Sequence, residues 1–171
     1  MDHEHWHAYG RTQNLDRFGK PRILVPDMMD NASFAMDTVA EAAFVSGYGI
    51  ALKANFADHL PLLTGLLNSK LLAAYLKSVS TPLRGGWFRT FPQFLRFVPI
   101  KLPTTVEDKK LAARIVVGVR AIMVDKVKLR DANRSDRDRT SLEREVEYYE
   151  RRIDEDVFRL YGVEGLPDSG S

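Results

Sequence analysis

The residues best suited to chemistry in this chain are basic and aromatic, and they crowd into one stretch. From His59 to Val106 there is no Asp or Glu, yet Lys70, Lys77, Arg84, Arg89, Arg96 and Lys101 all fall within it. Tyr75, Trp87, Phe88, Phe91, Phe94 and Phe97 are interleaved with them. Positive charge without counter-charge, alternating with flat side chains, suits contact with a polyanion. At the centre is Arg84-Gly85-Gly86-Trp87-Phe88-Arg89. Its glycines let backbone N–H groups approach a phosphate closely, with an arginine on either side to share the charge. Trp87 or Phe88 could stack on a base or wedge beside a flipped one. The competing reading is a hairpin whose aromatics are core and whose bases are a solvated rim.

A second group lies near the start. Arg11, Gln13 and Asn14 are the side-chain types that make bidentate contacts, Arg to guanine and Gln or Asn to adenine. Each such pair discriminates by about 1–3 kcal/mol, so two or three suffice for a short site. For Arg11 a phosphate contact or the tie of a structural turn is favoured over base reading. Lys20, Arg22, Lys53, Gln93 and Arg96 are lesser candidates, each of which taken singly also fits a solvated face. Asn68-Ser69 reads as structural, bonding from a helix to backbone of a packed sheet.

Other chemistries fare worse. His3-Glu4-His5-Trp6-His7 satisfies the H-E-x-x-H spacing of zinc peptidases. That chemistry needs a helix to bring both histidines to one face, and Tyr9-Gly10 follows too soon for one. Gly47-x-Gly49 lacks the third glycine of a dinucleotide loop. The absence of cysteine excludes disulfides and thiolate metal sites. No paired-carboxylate or Ser/His constellation stands out.

These side chains need elements to hold them. Arg22–Pro26 reads as a strand, and Ala43–Leu52 as two strands around a tight turn. Asp58–Ser78 reads as one helix, with Asp58 as N-cap and Pro61 in the first turn. Its stripe is Leu63, Leu67, Leu71 and Tyr75, widened by Leu60, Leu72 and Leu76. Arg84–Ile100 returns to strand and loop and leaves through Pro99 and Pro103. Thereafter only helical spacing occurs. Leu111, Ile115, Val119, Ile122 and Val127 mark a helix over 107–129, and 130–140 is a polar break. Leu142, Val146, Tyr149, Ile153, Val157 and Leu160 mark a second helix from Ser141, closed by Gly162. The expected fold is α+β: a mixed small-sheet recognition domain with one packed helix over 1–103, an antiparallel helical pair over 104–163, and a flexible tail over 164–171.

Of 171 residues, 44% are hydrophobic, enough for a core. The net charge of +2 is unevenly spread. Residues 1–103 hold eleven Lys and Arg against eight Asp and Glu, giving +3, while 104–171 hold fourteen against fifteen, giving −1. No apolar run reaches transmembrane length and no leader precedes Trp6, so a cytoplasmic protein without a membrane partner is expected. The patterned start at Trp6 reads as a piece of something longer.

Read in order, several segments resemble one family. They are Trp6-x-x-Tyr9-Gly10-Arg11-x-Gln13-Asn14-Leu15, Pro21–Pro26, Leu66-Leu67-Asn68-Ser69-Lys70-Leu71, Tyr75-Leu76, Arg84-Gly85-Gly86-Trp87 and Phe97-Val98-Pro99-Ile100. Their combination resembles the TaqI-like C-terminal specificity domain of adenine-specific DNA methyltransferases and combined restriction–modification enzymes. Ile153-Asp154-x-x-Val157-Phe158-x-Leu160-Tyr161-Gly162 is similar to the helix that often ends those proteins. The resemblance implies a target-recognition module that clamps double-stranded DNA against a methyltransferase domain, N-terminal in cis or supplied in trans. That domain would bind S-adenosylmethionine and methylate a flipped adenine. The sequence has no Asn-Pro-Pro-Tyr-type tetrapeptide, so catalysis is expected outside this chain. The alternatives are a free-standing specificity subunit that docks methyltransferase and endonuclease subunits, and a non-catalytic protein-interaction module.

Overall fold

A computed structural model describes residues 19–40, 42, 46–131 and 135–164 of the chain. The His3–His7 motif, Arg11, Gln13, Asn14 and Phe44-Val45, from the first of the two strands expected in Ala43–Leu52, lie outside those residues. So does most of the expected tail.

Strand β1 (Arg22–Val25) starts after Pro21 and stops before Pro26, whose ring nitrogen has no hydrogen to continue a ladder. It is the centre of an antiparallel sheet ordered β3-β1-β4, with β3 at Ala35–Asp37 and β4 at Tyr48–Ile50. Ile23 faces Met36 on one side and Ile50 on the other. Ile23 and Val25 alternate into the core, as a half-covered strand requires. A second, two-stranded ribbon pairs β2 (Met28–Met29) with β5 (Phe88–Arg89), setting Met29 opposite Phe88. Both side chains are buried.

The leucine-rich stretch forms two helices rather than one. Helix α1 spans Leu60–Asn68 and α2 spans Lys70–Val79. Ser69 between them is extended (φ −69°, ψ 149°) and starts the second helix afresh. Its hydroxyl accepts from the Leu72 N–H (3.3 Å) and donates to the Leu66 carbonyl (2.6 Å). An N-cap serine outcompetes one more turn of α-helix here. Asp58 falls in a 3-10 turn, Ala54–His59, and caps nothing. The break also moves the buried stripe. Leu60, Leu67, Leu72 and Leu76 are buried as expected and Leu62 and Leu66 join them, whereas Leu63 and Leu71 are half-buried and Tyr75 is exposed. Asn68 does the structural task expected of it. It donates to the Phe34 carbonyl (2.9 Å) and accepts from the Phe34 N–H (3.0 Å), fixing the loop before β3.

Beyond β5 the chain makes a four-residue helix α3 (Pro92–Leu95), where strand and loop were expected. Proline in the first turn has the helical φ and lacks only a hydrogen that would go unused there.

Helix α4 (Val106–Leu129) opens with a reciprocal capping box between Thr105 and Asp108. Helix α5 (Asp136–Tyr161) starts five residues before the expected Ser141, because the Ser135 hydroxyl accepts from the Asp138 N–H and caps it. It ends at Gly162 (φ 69°), where the Val163 N–H reaches back to the Phe158 carbonyl. The two helices run antiparallel. As α4 advances from Arg114 through Gly118 to Lys126, its partners on α5 retreat from Asp156 through Ile153 to Glu150. Val127, placed in the core stripe by spacing alone, is 67% exposed; Gly118 and Asp125 are buried instead.

One apolar core joins all of this. Ile23 and Val25, the leucines of α1 and α2, Phe88, Ile115, Val119, Ile153 and Val157 form a single cluster. The helical pair therefore packs on α1, with Gly65 at the crossing. A Cβ on Gly65 would lie 2.5 Å from the Ile115 Cγ2 and 2.9 Å from the Val119 Cγ2, so the helices approach closer than any other residue allows.

Candidate nucleic-acid interface

The β2–β5 ribbon carries the Gly-Gly turn and determines what it presents. Phe88 anchors the ribbon in the core, and Thr90, 0% exposed, fastens its base. The Thr90 N–H donates to the Asp27 carbonyl (3.0 Å) and its hydroxyl to that of Pro26. On the other side the Arg89 N–H donates to the Thr81 carbonyl (3.1 Å), and the Ser80 hydroxyl to that of Arg89. The turn itself closes with the Leu83 N–H on the Trp87 carbonyl (2.7 Å). Gly85 (φ 77°) and Gly86 (φ 82°) are both left-handed, a pair of conformations that L side chains resist. The outcome is a held platform with a bare tip. Arg84, Gly85 and Gly86 are exposed and Trp87 is 40% exposed, so Trp87 is not the core residue that the hairpin reading allowed. Phe88 is that residue, and it cannot stack on a base.

Beyond the tip, arginines and rings pair up. The Arg89 guanidinium lies 5.2 Å from the Phe91 ring centre, and Phe91 stacks on Phe94 (6.4 Å, 8° between planes). Tyr48 meets Phe91 edge-on at 6.4 Å. The Arg96 guanidinium covers the Phe97 ring at 4.8 Å, and Phe97 is 57% exposed. Each cation–ring contact contributes about 0.5–1 kcal/mol at an exposed site and holds the guanidinium with its N–H edges free for an anion. Gln93 is exposed on α3 next to these rings. One acid belongs to the group. The Tyr48 hydroxyl donates to Asp27, and partial burial, then the Asp27 charge and this hydrogen bond, push its pKa above the ordinary phenol value; Arg89 acts in the opposite direction. Tyr48 therefore stays a hydrogen-bond donor at neutral pH.

Other candidates are scattered. Arg22 is not a surface residue: it is 3% exposed, 3.5 Å from Asp37 directly across the β1–β3 ladder, and donates to the Ala42 carbonyl (2.5 Å). Asp37 also accepts from the Ala40 and Ala42 N–H groups, so this pair fixes the turn after β3 and is removed from DNA contact. Lys20 and Lys53 are exposed, and no contact links them to the arginine–ring group. Two bases of the acid-free stretch find partners elsewhere in the chain. Lys70 meets Asp154 of α5 (3.6 Å), and the Lys101 ammonium donates to the Leu160 carbonyl at the negative end of α5. Among the described residues, Lys77, Arg84, Arg89 and Arg96 form no ion pair. No group of metal-ligating side chains occurs among the described residues, and none of their helices is long and apolar enough to cross a membrane.

Reading the sequence residue by residue missed Phe91, Phe94, Phe97 and Tyr48 as partners of the arginines. Part of the signal was local: Arg89 and Phe91 are two apart on extended chain, and Phe91 and Phe94 three apart across a helical turn.

The family described as the TaqI-like C-terminal specificity domain matches residues 2–100. A solved structure of the Type IIL restriction-modification enzyme MmeI in complex with DNA is similar in fold, with a TM-score of 0.61 at 18% identity. The similarity covers 88% of this chain, which spans 19% of that one. No curated protein matches the sequence.

Proposed function

The chain belongs to the TaqI-like C-terminal specificity domain family, and from that premise we propose that it recognises a short sequence in double-stranded DNA. In this reading it serves a restriction–modification type adenine methyltransferase, whose catalytic domain lies outside these 171 residues. The observation that carries the proposal is the arginine–ring group: Arg84 and Trp87 on a held turn, then Arg89 over Phe91 and Arg96 over Phe97. All belong to a stretch without a carboxylate of its own.

The division of labour follows from side-chain chemistry. Arg84, Arg89 and Arg96 take phosphate oxygens, each adding about 0.9 to the slope of log affinity against log salt. The Gly85 and Gly86 backbone comes close to the same anions. Trp87 lies flat against sugar or an exposed base, and Gln93, with Gln13 and Asn14, reads base edges. S-adenosylmethionine belongs to the catalytic partner. Methyl transfer to adenine N6 takes place there, and this chain supplies register and orientation.

Selection from a pool of random duplex DNA, at two salt concentrations, tests the reading. An enriched short motif whose affinity falls steeply with salt is expected. No enrichment at low salt, both for this chain alone and with the catalytic part supplied, overturns it.

A further inference from the structure

Helices α4 and α5 have similar lengths, yet their outward faces differ in kind. Outward from the core, α5 shows Glu143, Arg144, Glu147, Arg151 and Glu155, with Tyr148 as its one large exposed apolar side chain. Helix α4 shows Val106, Val117, Val124 and Val127, which are 73%, 62%, 54% and 67% exposed. Ala113 is exposed beside them. Positions 106, 113, 117, 124 and 127 follow the three-, four- and seven-residue spacing of a second apolar stripe, on the side away from Leu111, Ile115 and Val119. A helix apolar on two sides has two partners, and α5 with α1 covers only one side of α4.

The charges around that stripe identify what fits it. Helix α4 contains three acidic residues. Asp108 is held in the capping box, Asp125 is buried, and Glu107 pairs with Lys110 in the first turn (3.5 Å). Lys109 and Arg120, exposed along the stripe, form no ion pair among the described residues. From Lys109 onward, the exposed face is thus valine, alanine and cation. A second copy of the chain would bring Lys109 and Arg120 of both helices into one seam without a carboxylate. A phosphate backbone would strand four valines against charge. We infer that the outer face of α4 is the docking site for an amphipathic helix of a partner protein, with an apolar stripe edged by Asp and Glu. Its valines insert between the partner's apolar side chains, and Lys109 and Arg120 close over the acidic edges. The inference stands apart from DNA recognition, which uses the Arg84–Phe97 segment and not the outer face of α4.

The test uses the full chain and two labelled helical peptides, each roughly three heptads long, with leucine at the core positions. One carries glutamate at the flanking positions and the other lysine, so like charges keep each from pairing with itself. Fluorescence anisotropy at low salt is expected to show the glutamate peptide binding roughly tenfold or more tighter than the lysine peptide. The double substitution Val117→Glu/Val124→Glu abolishes that binding, while Val39→Glu at an exposed valine elsewhere leaves it unchanged. Circular dichroism establishes that each variant is folded. Equal binding of both peptides, or no binding of the glutamate peptide to folded chain, overturns the proposal. Two other results overturn it as well: a dimer in sedimentation that Val124→Glu dissociates, which makes a second copy the occupant, and loss of duplex DNA binding in the folded double variant.

Discussion

Charge is handled in opposite ways in two neighbouring regions of this chain. In the helical pair, cations meet carboxylates: Arg114 grips Asp156 through two hydrogen bonds (2.9 and 2.7 Å), Lys128 meets Asp125, and Lys126 meets Glu150. At the β2–β5 ribbon and α3, Arg89 and Arg96 lie against rings instead, and the described residues give Arg84, Arg89 and Arg96 no ion pair. An ion pair satisfies both members and leaves little for a ligand. A guanidinium over a ring is held in place but keeps its donors. The net charges of the two halves differ by only four units, +3 against −1, so the pairing and not the total distinguishes them.

The sharpest break of the comparison is on the structural side. Ile115→Ala, at a 0% exposed position shared by α1, α4 and α5, is expected to lower unfolding free energy by about 2–5 kcal/mol. Denaturant titration measures it, and DNA affinity of the remaining folded protein should not change. Gly65→Ala comes next. Its Cβ must displace Ile115 and Val119, for a loss of about 1–3 kcal/mol, again without a change in DNA affinity. Arg84→Ala and Arg96→Ala invert the pattern. Stability should stay within about 0.5 kcal/mol, while affinity for duplex DNA falls and the salt slope drops by about 0.9 for each. A large stability loss in either would place these arginines with the structural cations.

The smallest effect is in acid. Hydrogen bonds from the Thr105 and Thr104 backbone hold the Asp108 carboxyl at about 2, below its ordinary 3.8. A carboxyl lowered on folding stabilises the fold above its unfolded value and ceases to do so as pH falls through the folded one. Melting temperature should therefore fall between about pH 4 and pH 2, and less so in Asp108→Asn. Asp154 runs the other way: burial raises its pKa despite Lys70, so protonation of that group favours the folded chain.

How much of this was legible in the sequence depended on range. Helices α4 and α5 follow from spacing, and Gly162 and the strand at Arg22–Val25 from local residue types. The break at Ser69 was hidden because leucines continue on both sides; only the Asn68-Ser69 pair marked it. The fate of Arg22 was not readable locally, since Asp37 reaches it only across a ladder fifteen residues away. For the same reason the acid-free stretch looked more exposed in sequence than it is, with Asp154 and Asp27 arriving from elsewhere in the chain. The arginine–ring contacts needed both an element assignment and rotamers, and so came only with the structure.

The close seat of Gly65 on Ile115 and Val119 has a bearing on inheritance. A specificity module passed between proteins as a cassette ending at Pro103 would arrive with the underside of α1 stripped, and its recipient would have to offer two side chains shaped to a missing methyl. Transplants that change the DNA site should therefore exchange the surface of α3 around Gln93, and leave the α1–α4 crossing to travel whole.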